Sequence, residues 1–233
     1  MKKYIGFIAF LLFFSTNIQA QHIGFGAKGG LLVGTQRSKR ALLSYHSGLF
    51  FETMGKWQGE NTLRRLGFVA QLGYHRRGAS YNSGYFNNTA YSVNDLFHNI
   101  SLSTLLKGNF KFNSILPYYA AGVRLDVTAA NELVNNLDAQ GVTPINFGFW
   151  LGGGIEWEPV KLPFGLFIEV NVSPDLTPQV FFPKGTQVQY IDPFTTKTAV
   201  RTFSEDYRVI NLSIEVTFGV KFIVRKSTET ATM

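Results

Sequence analysis

Apolar and polar residues alternate with a period of two along most of the chain from residue 23 onward. In INFGFWLGGGIEWE (145–158), the odd positions are Ile145, Phe147, Phe149, Leu151, Gly153, Ile155 and Trp157. The even positions are Asn146, Gly148, Trp150, Gly152, Gly154, Glu156 and Glu158. Successive side chains of a strand point to opposite faces, so one face is bulky and apolar and the other is nearly bare. The pattern predicts eight strands, at 23–34, 44–55, 65–77, 96–108, 118–129, 145–158, 165–173 and 207–224. All eight prolines fall between these segments or at their edges, as the loss of a ladder donor requires.

The connections differ in length. Those after strands two, four and six are short (56–64, 109–117, 159–164), and those after three, five and seven are longer (78–95, 130–144, 174–206). The connection at 35–43 is also short and breaks the alternation. Short turns at one end and longer loops at the other suit an outer-membrane barrel. Within the last loop, TQVQYIDPFTTKTAVRTF reads as a hairpin standing above the membrane.

Alternation alone leaves the outward face undecided, because a soluble barrel has its apolar side inward. Away from strand ends the charges share one face: Lys28, Glu52, Lys107, Arg124, Asp126, Glu156, Glu169, Glu215 and Lys221. A paired interior network and a wet exterior both accommodate them. The glycines lie on the same face (Gly24, Gly26, Gly30, Gly34, Gly48, Gly73, Gly122, Gly148, Gly152, Gly154, Gly219) and separate the two cases. A barrel of about eight strands has room only for side chains to fill it. Glycine relieves crowding on that concave surface, whereas a solvated face gains nothing from being stripped. The expectation is an all-β, eight-stranded antiparallel up-and-down transmembrane β-barrel with the nine charges inside. Trp150 and Phe50 are then inward exceptions, and Gly29 and Gly153 outward ones. Tyr45, Tyr74, Tyr119 and Trp157 fall near strand ends, where interfacial aromatics belong. The alternative is a secreted soluble barrel with Phe147, Phe149 and Leu151 lining an apolar ligand cavity.

MKKYIGFIAFLLFFSTNIQA has a basic head, a short apolar core and an Ile18-Gln19-Ala20 cleavage site, which reads as a signal peptide at 1–20. The barrel then occupies 21–224, one domain, followed by a polar periplasmic tail at 225–233. Later apolar runs are too short for a membrane helix, leaving a closed barrel as the way across a bilayer. There is no cysteine, hence no disulfide framework. The formal charge of +7 includes Lys2 and Lys3 of the signal peptide, and the mild basicity that remains does not suggest nucleic acid.

His46 and His75 lie on the inward parity of strands two and three, near one rim. Two histidines suit metal binding or acid–base work, but without a third ligand at metal spacing they read as polar filler. Ser44 and Ser47 beside His46 raise a lipid-modifying enzyme with His46 as base, though no acid partner or nucleophile turn accompanies them. Arg37, Lys39, Arg40, Arg76 and Arg77 gather at the outer ends of strands one to three and suit lipopolysaccharide phosphates. GFGAKG at 24–29 spells GxGxxG but has no strand before it or helix after it, and CxxC, HExxH and P-loop motifs are missing. No catalytic residue, metal or cofactor is therefore expected, and the chain is expected not to be an enzyme.

The blocks FGAKGGLLVG, SGLFFETMGKW, FVAQLGYHRRGA, LSTLLKGNF, PYYAAGVRLDV and INFGFWLGGGIEW, in that order, resemble the PorT-type outer-membrane β-barrel family of Bacteroidetes. The last strand, NLSIEVTFGVKF, also fits. The resemblance covers most of the chain after residue 20 and implies residence in the outer membrane of a Gram-negative bacterium. It implies contact with outer-membrane lipid and lipopolysaccharide, and insertion by the barrel assembly machinery. The family's named member supports type IX secretion, which adds secretion-system components as expected partners and a non-catalytic role as scaffold, surface element or secretion accessory. The family supplies no catalytic residues to carry over. One departure concerns Phe222, in the place of a terminal insertion signal, which is followed by Ile223, Val224 and RKSTETATM.

Overall fold

The computed structural model describes residues 22–36, 40–56, 58, 64–86, 89–133, 139–159, 162–191 and 197–225, with backbone alone at 81–86, 89–93 and 225. Residues 1–20, read from the sequence as a signal peptide, those beyond Arg225, and Arg37 and Lys39 lie outside these residues. Seven long strands come first: β1 His22–Gln36, β2 Arg40–Met54, β3 Arg64–Phe86, β4 Thr89–Phe110, β5 Ile115–Glu132, β6 Ile145–Trp157 and β7 Phe164–Pro174. Four short ones follow: β8 Val180–Phe182, β9 Gln187–Ile191, β10 Thr198–Thr202 and β11 Tyr207–Val209. The last is β12, Asn211–Arg225.

The eight long strands form one closed antiparallel barrel in the order β1-β12-β7-β6-β5-β4-β3-β2. Each strand pairs with its chain neighbour, and β12 closes the ring on β1 in continuous register, from His22 opposite Arg225 to Gln36 opposite Asn211. Closure removes every edge, the condition for a sheet in hydrocarbon.

The apolar face is outside. Leu212, Ile214 and Phe218 are 40, 47 and 62 % exposed, and Phe147, Phe149 and Leu151 are exposed as well. This corrects the soluble-barrel alternative: those three side chains line no cavity and instead join a belt of Leu, Ile, Val and Phe around the wall. Exposed apolar surface on that scale needs a hydrocarbon partner. Tyr119 and Trp157 are exposed at one end of the belt, and Tyr45 and Tyr74 approach ring to ring (5.9 Å) toward the other. Trp150 and Phe50 point inward and join Val69, Leu105, Ala120 and Phe167 in an apolar collar across the lumen.

The two ends of the barrel differ. At one, short connections join β2 to β3, β4 to β5 and β6 to β7. At the other, β3 and β4 run on for 23 and 22 residues, about twice the 9–11 that cross a bilayer, so the segment read as a long loop at 78–95 is mostly a projecting ladder. The long β7–β12 connection folds over the same mouth. Its β9–β10 hairpin forms where the sequence suggested, and β8 pairs with β11. Phe97 of β4 meets Val180, Phe182, Val188, Phe203 and Val209 there in a second core, with the Phe182 and Phe203 rings stacked at 4.6 Å.

Candidate functional site

Inside the belt the lumen is filled by charge arranged in layers. The nine charges assigned to the interior by parity are all at most 6 % exposed. Toward the short-turn end, Lys221 Nζ reaches Glu52 (2.7 Å), Glu156 (2.8 Å) and Glu158 (2.6 Å). Lys107 bonds Glu52 at 2.8 Å and also Glu156, while Arg65 donates to Glu158 at 3.1 Å. Three cations thus face three carboxylates. At mid-height Lys28 donates to Glu169 (2.7 Å), which also accepts from Tyr118 (2.9 Å), and the ammonium lies 5.5 Å from the centre of the Trp150 ring. The cavity left between these groups and the collar is about 20 Å³, room for about one water.

Nearer the long-loop mouth, Arg77 bonds Asp175 (2.7 Å) and Asp126 (2.5 Å), and Arg124 bonds the same two carboxylates at 2.5 and 2.9 Å. Asn211 ties Asp175 (3.2 Å) to Gln36 (2.7 Å), and Gln179 donates to Thr128 at 2.7 Å. The β7–β12 connection is therefore latched into the barrel by Asp175 and Gln179. Arg77 requires a correction: it is fully buried and ion-paired, so it cannot reach lipopolysaccharide. It shares the inward parity of Gly73 and His75 on β3, whereas Arg76 points outward and pairs with Glu132 at 3.2 Å. Arg40 is exposed at the same end.

Between that cluster and the collar sit His46 of β2, His75 of β3 and Glu215 of β12, all buried, with one ligand atom from each within 4.8 Å of the others. His46 and His75 are direct register partners with ring centres 6.1 Å apart, as their parity suggested. Sequence reasoning missed Glu215 as the third member, because it comes from the far end of the chain and reaches the histidines only through barrel closure. His46 Nδ1 stands 3.4 Å from Glu215 Oε2, which accepts a hydrogen bond from Asn171 at 3.3 Å. Neither ring nitrogen of His46 has a hydrogen-bond partner, nor does His75 Nε2, which lies 3.6 Å from Asp126 Oδ1. The pairing of His46 with a serine for lipid chemistry does not form: Ser44 and His46 share no hydrogen bond, and Ser47 points out of the barrel.

No protein-family model matches the chain, and neither does any curated protein. Among solved structures, the outer membrane protease OmpT from Escherichia coli is similar over 89 % of this chain and 98 % of its own, at TM-score 0.38 and 10 % identity. The E. coli outer membrane protein W is similar over 90 and 100 %, at TM-score 0.33 and 11 % identity. By its closed ring and its apolar belt, the chain is an eight-stranded transmembrane β-barrel. The expectation that it is not an enzyme is corrected here, because barrels of similar fold include a protease and the architecture gives no ground for excluding catalysis.

Proposed function

We propose that this protein is an outer-membrane barrel of PorT type that acts as a surface platform, its working part being the ordered cap over the long-loop mouth. One observation carries the reading: the lumen is packed with paired charge, while the β8–β11 strands of the last connection are built, with Phe97 of β4, around a core of their own. Such a lumen offers no route for diffusion, whereas an ordered cap offers a preformed recognition surface. The succession of sequence blocks supports the PorT resemblance and, with it, secretion-system components as partners. Arg40 and Arg76, at the outer end of the belt, are suited to lipopolysaccharide phosphates.

Cross-linking in intact cells tests the platform, comparing the full chain with one in which Gln187–Thr202 is replaced by a short turn. Both should show the heat-modifiable gel migration of a folded barrel. A cross-linked partner lost with the hairpin supports the proposal. An unchanged set of partners would overturn it, as would recovery of the chain as a soluble periplasmic monomer.

A further inference from the structure

The buried carboxylates of the lumen differ in one respect. Glu52, Glu156, Glu158, Glu169, Asp126 and Asp175 each contact a lysine or arginine. Glu215 makes no such ion pair among the described residues; its neighbours are His46 and the Asn171 amide. A carboxylate held away from water without a compensating cation is strongly disfavoured. The two imidazoles beside it carry ring nitrogens that bond to nothing, although each buried polar atom ordinarily finds a partner. One unpaired anion and two idle nitrogen donors in the same enclosed place share a single remedy.

We propose that His46, His75 and Glu215 bind a divalent transition-metal ion of the zinc type inside the barrel. Two imidazoles and a carboxylate form a ligand set suited to Zn²⁺, whereas Ca²⁺ and Mg²⁺ prefer oxygen alone. Bonds of about 2.0–2.1 Å at tetrahedral angles place ligand atoms about 3.3 Å apart. His46 Nδ1 and Glu215 Oε2 already stand at 3.4 Å, and the 4.8 Å span of the full set closes by a modest turn of His75. An outer group is in place as well: the Asn171 amide holds the Glu215 carboxylate. The ligands come from β2, β3 and β12, with β1 between β12 and β2. Gly30 of β1, opposite His46, contributes no side chain to the space, and a Cβ there would lie 2.0 Å from the Val216 carbonyl oxygen. The ion would clip the last strand to the second and third, across the strand that closes the ring. The site is independent of what the cap recognises.

The test uses the untagged full-length chain without its signal peptide, stripped with EDTA. It is folded in detergent with equimolar Zn²⁺, or folded first and then exposed to Zn²⁺, desalted, and its metal measured by mass spectrometry. The expected result is one zinc per folded chain, with visible Co²⁺ bands typical of tetrahedral nitrogen and oxygen ligation on substitution. His46→Gln, His75→Gln and Glu215→Gln should each lose retention, while His22→Gln and His98→Gln, which alter the other two histidines, should keep it. Asn171→Ala should weaken affinity by about 10- to 100-fold. Heat-modifiable migration reports folding of every variant. If a ligand variant fails to fold, the Co²⁺ spectrum of the unsubstituted protein decides. Absence of stoichiometric metal by both loading routes would overturn the site, as would retention that survives in folded ligand variants or disappears in His22→Gln or His98→Gln.

Discussion

Arg76 and Arg77 adjoin in sequence and face opposite sides of β3. Arg76 pairs with Glu132 at the surface, where both side chains are partly solvated, and such a pair contributes about 0–1 kcal/mol. Arg77 lies between Asp126 and Asp175 in the lumen, and its removal strands two buried carboxylates next to Arg124 alone. Arg77→Ala is expected to destabilise the barrel by about 3–5 kcal/mol, and Arg76→Ala by no more than about 1 kcal/mol, in urea titrations of the protein folded into vesicles. Equal losses would mean that the lumenal network is not held as described. Parity in the sequence already separates these two residues, since Arg77 shares the phase of Gly73 and His75. Its nearness to a strand end hides this, because a cation there reads as a loop charge. Asp175 leaves no such trace: it follows Pro174, outside any alternating run, and only the fold of the β7–β12 connection brings it into the lumen. Glu215 was placed inside by its phase, but its meeting with the histidines depends on which strands become neighbours at closure.

At the level of elements, β1 and β12 lie close enough that Gly26 and Gly30 of β1 are steric necessities. A Cβ on Gly26 would stand 2.0 Å from the Val220 carbonyl oxygen, backbone that cannot give way without parting the strands. On Gly29, one face over in the same strand, the nearest atom is the His46 oxygen at an ordinary 3.6 Å. Gly26→Ala should therefore cost about 1–3 kcal/mol or more and reduce the heat-modifiable fraction after refolding, while Gly29→Ala should refold like the parent. The membrane-crossing parts of the strands were legible because lipid on one side and a crowded lumen on the other impose a strict period of two. The projecting halves of β3 and β4 were not. Outside hydrocarbon no apolar face is required, the alternation lapses, and the residues around the register shift at Asn82 and Gly84 look like turn residues.

For the molecule as a whole, stability depends on an uninterrupted apolar girdle whose tolerance of charge varies with depth. Phe218 lies near the middle of β12, and Val224 lies close to its end, beside Arg225. Phe218→Arg should destabilise the protein folded in vesicles by about 2–4 kcal/mol and Val224→Arg by about 0–1 kcal/mol, read from urea midpoints. A gradient in the reverse order would mean that the girdle is misplaced along the strands. The ring also has a temporal side. One edge of the first strand is partnered only by the last, so a nascent chain lacking the 15 residues of β12 presents two open rows of amides and carbonyls, one on β1 and one on β7. Hydrocarbon cannot hydrate those rows, and contacts between chain ends form slowly. The protein therefore cannot enter the membrane strand by strand as it is made, and until its C-terminus arrives both raw margins need shelter from something other than lipid.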